Sequence, residues 1–158
     1  MKLTFREALS FFAAEAGLPE LPDPLPSGLF ELSLDNGLVI RILEQESMDC
    51  AELSCEVANY PEFSSTTILS LISRANKAFA ATGGATLGAD TSSCTVMLSL
   101  RVPLTANDEL RLSRSISRFS EMAAGWKKII EENSHPSAAS DSIVAGVSPS
   151  THDPLRFA

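Results

Sequence analysis

Phe5, Leu9, Phe12 and Ala16 recur at three- and four-residue intervals, Thr4 and Glu7 have capping-box spacing, and Gly17 follows. This pattern predicts a first helix over about 4–16. The stretch from Leu18 to Pro26 holds four prolines in nine residues and must be an extended connector. Apolar residues then alternate with polar ones on both sides of Asp35-Asn36-Gly37, a hairpin signal. A three-residue loop pairs Leu34 with Leu38, Leu32 with Ile40 and Phe30 with Ile42, gathering six apolar side chains on one face, with Glu31 opposite Arg41. A two-residue loop would scatter them, so Gly37 is expected at a left-handed position.

Ala51, Leu53, Cys55 and Val57 alternate with Glu52, Ser54 and Glu56, predicting a third strand with one wet face. Ser64 or Ser65 can cap a second helix, with Ile68, Ile72, Ala75 and Phe79 on its core face, Leu71 and Ala78 widening it, and Gly83-Gly84 ending it. Residues 85–89 read as a short strand and 90–93 as a turn. Cys94, Val96, Leu98, Leu100 and Val102 then share one face of the clearest strand, with Thr95, Met97, Ser99 and Arg101 on the other. Thr105 and Asp108 suggest the start of a long third helix, about 105–132, whose Leu112, Ile116, Phe119, Ala123, Trp126 and Ile130 step at helical spacing. From 133 to 158 no period persists, and a Ser/Pro-rich disordered tail is expected. The predicted fold is one α+β domain over 1–132, an antiparallel twisted sheet with elements in the order α-β-β-β-α-β-β-α.

With 158 residues there is room for one domain of ordinary size, and 44% hydrophobic residues suffice for a core. The net charge of −8 makes nucleic acid an unfavourable partner. The acidity is uneven: residues 1–62 carry 12 acids and 3 bases, whereas 63–132 carry 6 acids and 8 bases, including a row of Arg111, Arg114 and Arg118 read as a solvated helix face. No apolar run is long enough to insert into a membrane, and the opening residues lack a secretory pattern, so a cytoplasmic location is expected. Cys50, Cys55 and Cys94 are an odd count, expected as free thiols in a reducing compartment.

The search for chemistry excludes more than it finds. The three cysteines, with His135 and His152 in the tail, do not have zinc-site spacing. A Cys94-dependent enzyme would need a nearby base that nothing in the sequence supplies. The glycines at 83, 84 and 88 match neither a phosphate loop nor a dinucleotide fingerprint, and the acids of 44–62 do not follow calcium-loop spacing. No cofactor or metal is expected, and no enzymatic activity. What remains is surface. Leu29, Val39 and Leu43 flank the Glu31–Arg41 pair on the wet face of the hairpin, Met97 lies on the outward side of the fifth strand, and Phe11 points away from the core side of the first helix. These five are the candidate contacts for a bound polypeptide, which would gain backbone hydrogen bonds at a sheet edge and side-chain pockets beside it. The negative charge favours a partner segment carrying bases.

Phe5-Arg6-Glu7-Ala8-Leu9, the hairpin at Leu34-Asp35-Asn36-Gly37, and above all Gly84-Ala85-Thr86-Leu87-Gly88-Ala89-Asp90 leading into residues 96–104, VMLSLRVPL, resemble a class I type III secretion chaperone, the effector-specific type of the Tir-chaperone family. The resemblance covers about 1–132. It implies a bacterial cytoplasmic homodimer that binds the N-terminal region of one or more secreted effectors in extended form, keeps it soluble and secretion-competent, and helps deliver it to the secretion ATPase. It further implies that Ile68, Leu71, Ile72 and Ala75 of the second helix, with Thr86 and Leu87 of the fourth strand, supply much of the dimer interface. The proline-rich connector and the long tail depart from the family pattern. The competing reading is a regulatory or scaffold domain of the same fold without a secreted client, because fold alone does not decide function.

Overall fold

The computed structural model describes residues 4–18, 21, 23–79, 81–104 and 110–135. Three helices cover one face of a five-stranded antiparallel sheet of order β1-β2-β3-β5-β4, so β1 and β4 are its edges.

Helix α1 (Phe5–Glu15) begins on the expected capping box. Thr4 Oγ1 accepts from the Glu7 N–H at 3.3 Å, and the Thr4 N–H donates to Glu7 Oε2 at 2.7 Å. The backbone bond from Thr4 first, and its hydroxyl second, hold the Glu7 carboxyl below its ordinary value. The contribution of that charge is therefore complete above the unfolded-state value of about 4.3 and is lost as pH falls through the lowered folded value. Urea titrations should show Glu7→Gln less stable than the parent at pH 7, with the gap closing toward about pH 3; a gap independent of pH would remove the charged form of the cap from the account. Gly17, at φ +68°, ends the helix.

The hairpin has the expected register. β1 (Phe30–Ser33) and β2 (Val39–Gln45) pair Phe30 with Ile42, Glu31 with Arg41 and Leu32 with Ile40. The Leu34 N–H donates to Leu38 O at 2.8 Å, which closes the three-residue loop, and Gly37 takes φ +81° within it. Phe30, Leu38, Ile40 and Ile42 are buried, with Leu32 and Leu34 packed at the margin. The Phe30 ring meets that of Phe5 edge to face, 5.8 Å between centroids, which fixes α1 over the hairpin.

β3 (Cys50–Asn59) carries Ala51, Leu53, Cys55 and Val57 inward, and all four are buried. A bulge at Val57 shifts its register against β5 (Thr95–Pro103). β4 (Thr86–Asp90) pairs only with β5. Helix α3 (Arg111–Ser134) lies across β3 and β5, packs against α1, and buries Leu112, Ile116, Phe119, Ala123, Trp126 and Ile130, the residues its period selected. Ser113 hydrogen-bonds Glu15, joining the two helices. Helix α2 (Ser65–Asn76) sits over β4 beside α3 and buries Ile68, Ile72 and Ala75.

Five local expectations change. Ser64 is the first flanking residue of α2, but its hydroxyl donates to Pro61 O at 2.8 Å and caps nothing. Phe79 is not on the core face: α2 stops at Asn76, a single tight turn follows, and Phe79 lies at φ +53°, 53% exposed. Cys94 is not part of the fifth strand, because the Asp90 turn extends through it. Asp90 Oδ1 accepts from the Ser92 hydroxyl at 2.6 Å and the Ser92 N–H at 2.9 Å, which lowers its pKa to about 2, and Cys94 closes the turn at φ +52°. Among the described residues α3 begins at Arg111, and Thr105 and Asp108 lie outside them. It ends two residues past the expected limit, with the Asn133 amide and the Ser134 hydroxyl donating to the carbonyls of Ile129 and Ile130; the rest of the expected tail, from 136, lies outside the described residues.

Candidate functional site

Because all three helices lie on one face, the other face of the sheet is open. Its rows follow from the register. Arg41 at the centre of β2 donates to Glu31 on β1 at 3.2 Å and to Glu56 on β3 at 2.9 Å. Glu56 first, then Glu31, hold the guanidinium protonated beyond its already high value. With all three side chains more than a third exposed, this bridge contributes at most about 1 kcal/mol; its main effect is to fix three strands in register. Val39, Leu43 and Met97 lie half-buried around it, Leu43 opposite Glu52 and Met97 opposite Glu56 and Gly88, while Leu29 is half-buried just before β1. The structure therefore brings together four of the five predicted partner contacts. Phe11, 47% exposed, belongs to α1 and so to the opposite side of the sheet.

That opposite side holds a feature the sequence reading did not pick out. Leu9 and Phe12 of α1, Leu18 and Leu21 of the connector, and Phe30, Leu32 and Ile42 of the hairpin line a small apolar crevice of about 10 Å³. It lies beside the free edge of β1. The Leu34–Leu38 bond makes alternate pairs of the hairpin the hydrogen-bonded ones, so the backbone N–H and C=O of Glu31 and Ser33 face away from β2. The available signal was Leu18 and Leu21, apolar residues inside a proline-rich connector that has no reason of its own to carry them.

Of the six predicted interface residues, Ile68, Ile72, Ala75 and Leu87 are buried in the chain's own core, and Leu71 is half-buried against it. Thr86 alone is exposed. The helical stripe that a sequence reveals is the one facing its own sheet. The surface around α2 is carried instead by Leu69 (42% exposed), by Phe63 (72%) in the turn before it and by Phe79 in the turn after it.

The outer edge of β4 is partly closed from within. The Thr86–Ser99 and Gly88–Met97 pairs turn the backbone groups of Leu87 away from β5. There the Asn76 side chain meets both: Nδ2 donates to Leu87 O at 2.7 Å, and the Leu87 N–H donates to Oδ1 at 2.9 Å. An amide side chain thus occupies the place of one residue of a neighbouring strand.

Among the described residues no group of three or more His, Cys, Asp or Glu side chains could hold a metal, and no helix is long and apolar enough to cross a membrane. Cys50 and Cys55 are buried, Cys94 half-buried, and none is in a disulfide. Burial, first among several causes, pushes the Cys55 thiol up, away from nucleophilic use.

Comparison with known proteins agrees with this geometry. The family described as Tir chaperone protein (CesT) matches over residues 7–127. No curated protein matches the sequence. Among solved structures, the ExsC–ExsE complex is similar with a TM-score of 0.66 at 18% identity, over 82% of this chain and 97% of that one. The HopA1–SchA chaperone–effector complex gives 0.62 at 15%, over 81% and 93%. The Yersinia pestis type III secretion chaperone SycH, in complex with a stable fragment of YscM2, gives 0.57 at 20%, over 77% and 98%. At these identities the structures share the α+β fold of helices on an antiparallel sheet.

Proposed function

Because the chain belongs to the Tir chaperone protein (CesT) family, a family of chaperones and not a class of enzymes, we propose that it is a cytoplasmic, homodimeric chaperone of the type III secretion kind that holds the N-terminal segment of a secreted effector in extended form and keeps it soluble for the secretion ATPase. The observation that carries this reading is the small apolar crevice under α1, set beside the backbone groups of Glu31 and Ser33, which pair with no strand among the described residues. An extended segment laid along β1 gains main-chain hydrogen bonds there and places alternate side chains against the half-buried Leu18, Leu21 and Leu32 at the mouth of the crevice. A globular partner could not enter so narrow a feature. Solved relatives of the same fold include one described as a chaperone–effector complex.

The test is co-expression with effectors encoded beside this chain, followed by limited proteolysis of the purified complex. The N-terminal stretch of the effector should be protected, and Leu21→Glu with Leu32→Glu should abolish capture while leaving the fold and the oligomeric state unchanged. Both residues are only partly buried, so the charges reach the crevice without entering the core. Protection of a folded domain instead, or capture indifferent to the two charges, would move the protein toward a scaffold role.

A further inference from the structure

β5 is longer than the strand beside it. β4 pairs no further than Thr86 with Ser99, and at Gly84, φ +93°, the chain has turned away, whereas β5 continues along β3 to Pro103. The orientation of the exposed backbone follows from one bond. The Leu104 N–H donates to Asp49 O at 2.9 Å, so in the ladder with β3 the hydrogen-bonded pairs are those of Val102 and Leu100, and the groups of Arg101 and Pro103 point toward the side that β4 leaves empty. Proline has no N–H to leave unpaired there. Among the described residues the open positions are the N–H and C=O of Arg101 and the C=O of Pro103.

The space beside them is basic. A cavity of about 160 Å³ is lined by Arg101 of β5 and by Arg111, Arg118 and Met122 of α3. It shares Leu100 and Arg101 with a second cavity, of about 430 Å³, that opens toward Ser99 and Thr86 on the free face of the sheet. Among the described residues neither Arg111 nor Arg118 has an ion-pair partner, and Arg101 has only an exposed contact to Glu52 at 3.8 Å. In a chain with 20 acids and 12 Lys and Arg, Arg111 and Arg118 of α3 lie together beside a stretch of strand backbone that has no partner among the described residues, while the Arg101 side chain leans to the other face of the sheet, toward Glu52.

We infer that this groove docks an extended, acidic segment of a partner polypeptide. The inference rests on the client-binding reading and adds to it a second contact of opposite charge preference. One residue of the segment would exchange hydrogen bonds with Arg101, as a sixth strand would. Arg111 and Arg118 lie two helical turns apart, about 10.5 Å along the axis, which carboxylates two or four extended residues apart can meet at about 3.3 Å per residue. Alternate apolar side chains would fall on the other face of the sheet, toward Thr86 and Ser99. The overall charge of −8 had suggested a basic partner segment; locally the sign is reversed, and contact with a carboxylate is governed by the near charges.

The probe is a fluorescein-labelled eight-residue peptide of alternating Glu and Val, titrated into the full chain and followed by anisotropy, beside Ser/Val and Lys/Val peptides of the same length. The Glu/Val peptide should bind at least about tenfold tighter than the Ser/Val peptide at low salt, and the difference should shrink at high salt. Arg111→Glu with Arg118→Glu, both exposed and outside the core, should remove it. Equal binding of the Glu/Val and Ser/Val peptides, or binding indifferent to the double variant, overturns the inference. So does a large gain in peptide binding on Asp108→Asn with Glu109→Gln, which would assign the groove to the chain's own residues. Failed peptide binding with intact effector capture sinks the groove alone; the reverse outcome sinks the chaperone reading.

Discussion

Phe63→Glu with Leu69→Glu should turn the proposed homodimer into a folded monomer, and sedimentation equilibrium at micromolar concentration should show it. Phe63 is 72% and Leu69 42% exposed in the single chain, so neither substitution opens the core. The remainder of that helix face is Thr66, Thr67, Ser70, Ser73 and Arg74, which offers little other apolar area. In a two-fold contact each residue counts twice. Burying a Phe or Leu side chain contributes about 1.5–3 kcal/mol, so four of them lost, with four like charges placed across the axis, should weaken dimerisation by at least about a thousandfold. Ile68→Ala is the informative control. It lies one residue from Leu69 but is fully buried, so it should lower the unfolding free energy by about 2–5 kcal/mol and change the association constant of the folded chain little. A dimer indifferent to the two glutamates would place the two-fold contact elsewhere.

The contrast between Ile68 and Leu69 also shows what a sequence makes legible. The period of a helix reports the stripe that faces its own sheet, and at α1 and α3 it selected buried residues, except for Ala16, which flanks the end of α1 and is exposed. It reports nothing directly about the opposite stripe, which is polar by default and needs only one or two apolar exceptions to bind another chain. Ile68, Ile72, Ala75 and Leu87 were expected at a dimer interface yet are buried in the chain's own core, while Phe63 lies outside the periodic run, in the turn before α2, and Phe79, which continues that run in the sequence, falls in the turn after it. The hairpin register was legible to the residue because Gly37 and six alternating apolar positions admit one loop length. The position of Cys94 was not, because alternation continued through it while the Asp90 side chain prolonged the turn. The Arg101 groove was beyond reach for another reason. The arginine row on α3 was visible, but its meaning depends on how far β4 pairs along β5, a length set by the turn at Gly83 and Gly84.

Asn76 is the residue whose loss should couple these features. It looked like an ordinary polar position near the end of α2, and its side chain instead supplies both partners that the Leu87 backbone lacks on the outer side of β4. In Asn76→Ala two backbone groups beside a buried side chain lose their bonds. At about 1–3 kcal/mol for each unsatisfied group, and allowing for partial access of water at the edge, the expected loss is about 2–4 kcal/mol in a urea unfolding experiment. Asn76→Asp separates the two bonds. Its carboxylate still accepts from the Leu87 N–H but faces the Leu87 carbonyl with no proton to donate, so the neutral acid is the form the fold prefers. Its folded-state pKa is then raised above the unfolded value of about 3.9. The variant should approach the parent at acid pH and lose stability as pH rises through that raised value, opposite in sign to the behaviour expected at Glu7. A pH-independent deficit would mean that the carbonyl bond at 2.7 Å contributes little. The alanine variant carries a further consequence, since it frees one N–H and one C=O on an edge strand that the amide now covers. Protection of the β4 amides against hydrogen exchange should fall first at Leu87, and the purified chain should become prone to edge-to-edge association at concentrations where the parent does not associate further; an unchanged exchange pattern would show that packing of Leu87, and not the amide clamp, holds β4 in place.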